Sequence, residues 1–324
     1  MKKNKKIILI TGVAGMIGSE LTNKFIKDKN NIIIGIDNFI LGTKNNIKQF
    51  IKNDNFKFFK INLEKKIKNN RLNKFLVNKT INEIWHLAAN SDIRSGVSNA
   101  DVDFKNTFLT TYNTLELIKK NINHNSKFIF TSSSAVFGDI KININETTPA
   151  LYSCSNYGSM KLASEAIISS YSYLNNIKSI VFRLPNVVGK NLTHGVIFDL
   201  SNKIKDKKKN YLQVLGDGNQ CKPYSHATEI VNCMIFVSKV KHSKFINYYN
   251  IGNNDKGIKV KDIVNLLVKK FDFNKKVKFQ KLIYGWKGDV PNYKYSIKKI
   301  NNLGFKFSLN SLETIKKTIL ELKK

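Results

Sequence analysis

The sequence has 324 residues, 42% of them hydrophobic, enough to bury one large core or two coupled ones. No apolar run approaches the ~18 residues of a membrane span. The opening lysines and Ile7-Ile8-Leu9-Ile10 pass straight into Thr11-Gly12 with no leader-type cleavage site, so they read as a buried strand. A cytoplasmic protein with no membrane partner is expected. Cys154, Cys221 and Cys233 are an odd number without paired spacing, which argues against a disulfide framework and a zinc site, and no metal is expected. The net charge of +32 comes almost wholly from lysine, since arginine occurs only at Arg71, Arg94 and Arg183. A reader of nucleic-acid sequence would concentrate arginine for bidentate contacts and interleave aromatics. Lysines spread over the whole length read instead as a solvated surface, and no specific nucleic-acid partner is expected.

In chain order, short β-branched runs predict strands over 6–11, 31–36, 56–60, 83–86, 127–131 and 177–184. Helices are predicted between them over 17–28, 102–120 and 156–174, the last on the recurrence of Leu162, Ala166, Ile167 and Ser170. Alternation of this kind is the pattern of an α/β protein, a doubly wound parallel sheet of Rossmann type. After Pro185 strands become sparser and glycine turns appear at Gly216-Asp217-Gly218 and Gly285–Gly288. A smaller α/β lobe is expected there. Residues 248–251 look like one more sheet strand, so the lobes should interleave.

Gly12-x-x-Gly15-x-x-Gly18 follows the first predicted strand and opens the first helix. The three glycines suit a tight turn, a close backbone approach to a pyrophosphate, and close helix–strand packing. The helix N-terminus adds free N–H groups and a partial positive charge. Three glycines alone would serve a purely structural turn equally well. Asp37, at the end of the next strand about 20 residues on, tips the balance, because a carboxylate there can accept the ribose hydroxyls of NAD. It would repel a 2′-phosphate, so NAD is expected over NADP.

Tyr157 and Lys161 stand four residues apart, on one face of a helix. A free phenol, with a pKa of ~10, is a poor base at neutral pH. A neighbouring ammonium and a positive nicotinamide ring would favour the phenolate. In a chain so rich in lysine the pair alone proves little. The run Thr131-Ser132-Ser133-Ser134 at the end of a strand gives it weight, because ligands of open α/β sheets bind at those carboxyl ends.

Together with His86-Leu87-Ala88-Ala89, Ser133-x-x-x-Phe137-Gly138, Arg183–Gly189, Gly216–Gln220 and Gly288-Asp289, these motifs cover nearly the whole chain. Its pattern resembles the extended short-chain dehydrogenase/reductases, in the NAD-dependent epimerase/dehydratase branch that holds UDP-galactose 4-epimerase and other nucleotide-sugar enzymes. The resemblance implies an NAD-binding Rossmann domain over 1–185, with a return segment near 223–256, and a mostly nucleotide-sugar-binding lobe over 186–324. It implies Tyr157 as base, Lys161 as the ribose-binding residue that tunes it, and Ser133 as hydrogen-bonding partner of the reacting hydroxyl. The cofactor would lie on Gly12, Gly15, Met16, Ile17, Gly18, Asp37, Asn38, Asn62, Leu63, Leu87, Ala88, Ala89 and Pro185. Asn186, Lys222 and Asp289 would meet the substrate's diphosphate and sugar. A homodimer packed through 102–120 and 156–174 is implied as well.

Four positions depart from the pattern. Asn62 replaces an aspartate, Phe137 a tyrosine and Lys222 a phosphate-binding arginine, which loses the bidentate fork but keeps the charge. Trp286-Lys287 stand where an arginine usually precedes Gly-Asp.

The positions after Ser133 separate the chemistries of the resembled family. Its 4,6-dehydratases carry Asp-Glu there, its decarboxylases a glutamate two positions on, and its 3,5-epimerase/reductases a cysteine; this chain has Ser134 and Ala135. Hydride transfer at C4 remains, as an epimerase through a 4-keto sugar or as a dehydrogenase that releases one. A non-catalytic dinucleotide sensor and a bare structural scaffold rank below both, because Tyr157 and Lys161 are both retained. If the charge is only a solvated surface, a mobility-shift titration should show weak binding to duplex DNA that vanishes as salt rises. Tight, sequence-selective binding at physiological salt would overturn that reading.

Overall fold

The computed structural model describes residues 5–67, 70–140, 142–150, 153–281 and 294–322. Seven parallel strands form its central sheet: β1 (Lys6–Thr11), β2 (Asn31–Asp37), β3 (Phe56–Lys60), β4 (Glu83–His86), β5 (Lys127–Ser133), β6 (Lys178–Leu184) and β7 (Ile246–Asn250). Their order is β7-β6-β5-β4-β1-β2-β3. The chain winds outward from β1 to β3, then returns to lay β4 on the other side of β1. That reversal is the switch point at which open α/β sheets bind ligands. Register puts Thr11 beside His86 and Ser133 beside Leu184, so the carboxyl ends of these strands share one edge.

Strand β1 shows why the sheet is covered on both faces. Ile8 and Ile10 join one core, with Trp85, Phe182 and the helix Ala227–Ser238, while Ile7 and Leu9 join another, with Phe128, Phe130 and Ile168. Strands buried on both faces read as continuous apolar runs, as this one does. A third core gathers Ile197, Leu200, Ile263, Leu267 and Ile315 from α3 (Val196–Lys205) and the helices Val260–Phe271 and Ser311–Glu321. Strand β7, from the second half of the chain, pairs with β6 in the main sheet. Among the described residues no helix is long and apolar enough to cross a membrane.

The first helix, α1, spans Met16–Phe25, and α2 spans Asn156–Leu174. The stripe that predicted α2 is not its buried face: Ala166 and Ser170 are exposed, and Leu162 and Ile167 are half-buried. Its buried face carries Tyr157, Lys161, Ser164, Glu165 and Ile168. Polar side chains can occupy it because they are paired. Glu165 accepts two bonds from Arg183 on β6, Nη2 to Oε2 at 2.7 Å and Nε to Oε1 at 3.1 Å. The guanidinium also lies against the rings of Phe137 and Tyr248. The predicted helix over 102–120 is interrupted: Ala100–Asp103 and Thr110–Ile118 are α-helical, and a π-helical stretch, Phe104–Leu109, joins them.

Both partners of the Arg183–Glu165 pair are buried, so removing one charge strands the other in a medium of low polarity. Glu165→Gln should lower the unfolding free energy by about 3–5 kcal/mol, read from urea denaturation. A loss below about 1 kcal/mol would mean the pair behaves like a solvated one.

Candidate active site

A cavity of about 480 Å³ opens along the carboxyl edge of the sheet. At one end it meets the glycine loop, with Gly12, Gly15, Met16, Ile17 and Gly18 in its wall. A Cβ on Gly18 would lie 2.2 Å from the Gly12 carbonyl oxygen, so only glycine allows α1 to start so close to β1. No side chain caps α1, which leaves its first-turn N–H groups to an anionic ligand.

Asp37 closes that end. Its carboxylate accepts from the backbone N–H of Ala14 at 2.9 Å and of Phe39 at 2.8 Å. Burial pushes the carboxyl above its ordinary value, and those backbone bonds oppose the rise. A carboxylate has about four lone-pair sites, so capacity remains for a ribose hydroxyl.

Leu87, Ala88 and Ala89 form part of the wall. A buried relay beneath them holds their backbone. The Thr111 hydroxyl donates to the Thr107 carbonyl at 2.8 Å, so His86 Nε2, 3.0 Å away, must donate to Thr111. Nδ1 is then the acceptor for Thr11 Oγ1 at 2.8 Å, and that oxygen accepts from the N–H of Leu87 and Ala88. Burial, with Lys161 adding to it, holds the imidazole pKa down to about 3, so the ring stays neutral and its tautomer stays set.

The reacting groups sit mid-cavity. Ser133 ends β5, and its hydroxyl caps the following turn by accepting from the Ala135 N–H at 3.1 Å. The Tyr157 phenol shares the same wall, near enough for Ser133 to draw its pKa downward. Their approach depends on Gly158, where a Cβ would fall 2.3 Å from Ser153 Oγ and 2.4 Å from the Ala135 oxygen. Lys161 Nζ donates to the Thr131 carbonyl at 2.6 Å and lies 5.7 Å from the Tyr157 ring centroid.

The electrostatics reverse the expected direction for the phenol. Burial pushes Tyr157 well above the usual range; the Ser133 hydroxyl opposes this and Asp103 adds to it. Burial also lowers Lys161 to about 7, against the pull of Glu165 and Asp103. The protein alone therefore keeps Tyr157 protonated.

The residues fit a dinucleotide. Two ends suited to phosphate and to ribose are joined by a wall of small residues, and the buried Ser132 hydroxyl, also in that wall, has no hydrogen-bond partner among the described residues. A model of the NAD dependent epimerase/dehydratase family matches residues 8–252. The chain belongs to that family. It is 28% identical over 317 residues, 97% of both proteins, to the putative UDP-glucose 4-epimerase of Methanocaldococcus jannaschii. An uncharacterised UDP-glucose epimerase of Bacillus subtilis is 30% identical over 233 residues, 69% of this chain and 70% of that one. A crystal structure of UDP-galactose 4-epimerase superposes with a TM-score of 0.82 at 25% identity, covering 97% of this chain and 98% of its own. The fold is also that of Bacillus cereus UDP-glucuronic acid 4-epimerase in complex with UDP-glucuronic acid and NAD, with a TM-score of 0.82, 24% identity and coverage of 97% and 98%. As a member of the NAD-dependent epimerase/dehydratase family, the protein uses NAD.

Within this family member the other expected residues divide. Asn38, Leu63, Pro185 and Asn186 line the cavity. Asn62 does not: its Oδ1 accepts from Asn38 at 3.3 Å and its Nδ2 donates to Glu64 at 2.8 Å. Lys222 is likewise absent from the wall and lies in a short strand paired with Ile258–Lys259. Asp289, Trp286 and Lys287 lie outside the described residues. The structure adds Asn90, Asp92, Ser95, Leu192, Thr193 and His194 to the wall. No local signal marks them, because two loops about a hundred positions apart meet only in the folded chain.

With Asp37 beside the expected ribose, calorimetry should show NAD binding at least about ten-fold tighter than NADP, about one charge repulsion. Asp37→Ala should narrow the gap. Equal affinity of the unaltered protein for both would remove Asp37 from that role.

Proposed function

We propose that the protein epimerises a nucleotide-diphosphate sugar at C4, with Tyr157 as base, Ser133 as hydrogen-bonding partner and Lys161 as the residue that binds the ribose and tunes the base. The observation that carries the proposal is the meeting of Ser133, Tyr157 and buried Lys161 in the wall of the cavity that the glycine loop opens. The epimerase names of the relatives support it, as do Ser134 and Ala135 where other chemistries of the family place acids or a thiol.

NAD, held by the glycine loop, Asp37 and Lys161, would supply the hydride acceptor for oxidation at C4 and the hydride donor for the return step. Tyr157 takes the C4 hydroxyl proton and later gives it back. Ser133 accepts or donates at the same oxygen, which holds the sugar in reach of the phenol. The positive charge of Lys161, added to that of the bound cofactor, offsets the burial that otherwise keeps the phenol protonated. Gly12, Gly15, Met16, Ile17, Gly18, Asp37, Asn38, Leu63, Leu87, Ala88, Ala89 and Pro185 make up the cofactor surface, and Asn186 approaches the substrate diphosphate.

We assign the NAD-binding part to 1–185 with the return segment near 223–256, and the sugar-binding lobe to the rest. The protein is placed in the cytoplasm as a homodimer. Exposed Phe104 and Tyr112, with the open Leu162–Ala166 face of α2, supply an apolar surface for that contact.

Tyr157→Phe removes one oxygen and leaves packing nearly unchanged. The variant should fold and bind NAD, yet lose about 10²–10⁴-fold in kcat, the usual worth of a general base. Lys161→Met should weaken both activity and NAD binding, whereas Ser133→Ala should cost less than either. Incubation with UDP-, GDP- and dTDP-sugars, followed by NMR of the products, gives the readout. Near-full activity in folded, NAD-loaded Tyr157→Phe would sink the mechanism.

A further inference from the structure

Beyond Ser133 and Tyr157 the cavity ends between two loops, and one side of that end is tied to the reacting residues. Asn156, the neighbour of Tyr157, donates through Nδ2 to the Gly96 carbonyl at 2.8 Å. Asn90 Nδ2 donates to the Asp92 carbonyl at 3.0 Å and to Asp103 Oδ1 at 2.7 Å. Asp92 therefore belongs to a short segment pinned against the start of α2. Tyr157 and Asp92 line the same cavity, so a sugar held at Tyr157 lies in the space that this segment walls.

The other side is Thr193 and His194, just before α3. Arg94 joins the two sides, with Nη2 2.6 Å from Asp199 Oδ2 on α3 and Nε 3.7 Å from Asp92 Oδ1. Thr193 Oγ1 lies 3.2 Å from His194 Nδ1. Burial lowers the His194 pKa; Asp92 and Asp199 act against that shift and Arg94 with it, so the ring is neutral at pH 7. Lys203 on α3 acts on Asp199 as well, so Arg94 and Lys203 together face Asp92 and Asp199. In a chain of net charge +32, the charged side chain that these two loops contribute to the cavity wall, among the described residues, is a carboxylate, Asp92.

We infer that the wall formed by Asp92 and His194 selects the sugar, admitting an uncharged hexose or acetamido-hexose and rejecting a uronate. The inference rests on the epimerase reading and narrows its substrate class. Hydroxyl and amide groups can donate to the Asp92 carboxylate and pair with a neutral imidazole. A sugar carboxylate would meet the Asp92 carboxylate in a partly screened site, while Arg94 is already engaged by two carboxylates. The site thus discriminates by repulsion as well as by contact.

The test is equilibrium binding of UDP-glucose, UDP-N-acetylglucosamine and UDP-glucuronate to the NAD-loaded protein, repeated with GDP-mannose and GDP-mannuronate. The nucleotide that binds more tightly is scored, with KM and kcat measured for any sugar turned over. The unaltered protein should bind the neutral sugar at least about ten-fold more tightly than the uronate, one charge repulsion in a partly screened site. Asp92→Asn should shrink that ratio several-fold, read as a fall in the Kd and KM of the uronate relative to those of the neutral sugar. Asp199→Ala, which releases Arg94, should move the ratio the same way while circular dichroism reports an intact fold. Equal binding of uronate and neutral sugar, or an unchanged ratio in folded Asp92→Asn, would overturn the inference. Because binding is read apart from turnover, a selective protein that makes no epimer would refute the epimerase reading and leave the selecting wall supported.

Discussion

The contact on which the site depends is the one between the Lys161 ammonium and the Thr131 carbonyl, 2.6 Å apart and sealed from water. A buried charge is costly, and this one is tolerated because a backbone oxygen, the faces of Phe130 and Tyr157, and two nearby carboxylates surround it. That bond draws the first turns of α2 against the end of β5. Gly158 permits the approach, and Tyr157 reaches Ser133 as its consequence. One turn further along, Glu165 meets Arg183 and fastens the same helix to β6. The polar face of α2 is thus a structural surface and a chemical one at once.

Electrostatics inside the cavity run against a simple picture of a lysine activating a tyrosine. Burial acts on both groups and makes the neutral form of each easier to reach. On the proposed mechanism, a resting site built this way would hold its proton, and a bound cationic cofactor would supply the charge that favours its release. Base strength is then tied to loading, and a phenolate is not left exposed in the empty protein. His86 shows the complementary device, a neutral ring whose tautomer is set by two threonines and whose job is to hold backbone.

Charge is also distributed by depth. The lysines that dominate the composition lie over the surface and do not define the cavity, whose charged lining among the described residues is Asp37, Asp92 and Lys161. Long-range attraction for a phosphorylated ligand and short-range discrimination among sugars therefore reside in different residues.

The sequence by itself determined the strands of the first half, the glycine loop that opens the first helix, and the placing of Tyr157 and Lys161 on one face of α2. Each is written locally, as an apolar run, a turn, or a helical spacing of four, and local patterns survive without knowledge of the partner element. The buried face of α2 is not its apolar stripe, because Glu165 and Lys161 are held inside only by Arg183 and Thr131 of other strands. Asn62 and Lys222 fit a motif by position, while the bonds of Asn62 to Asn38 and Glu64 and the pairing of Lys222 with Ile258 appear only in the fold. Only the tertiary structure joined the loop at Asp92 to the loop at His194, since their meeting depends on how the second lobe closes over the sheet, and no spacing along the chain encodes that closure.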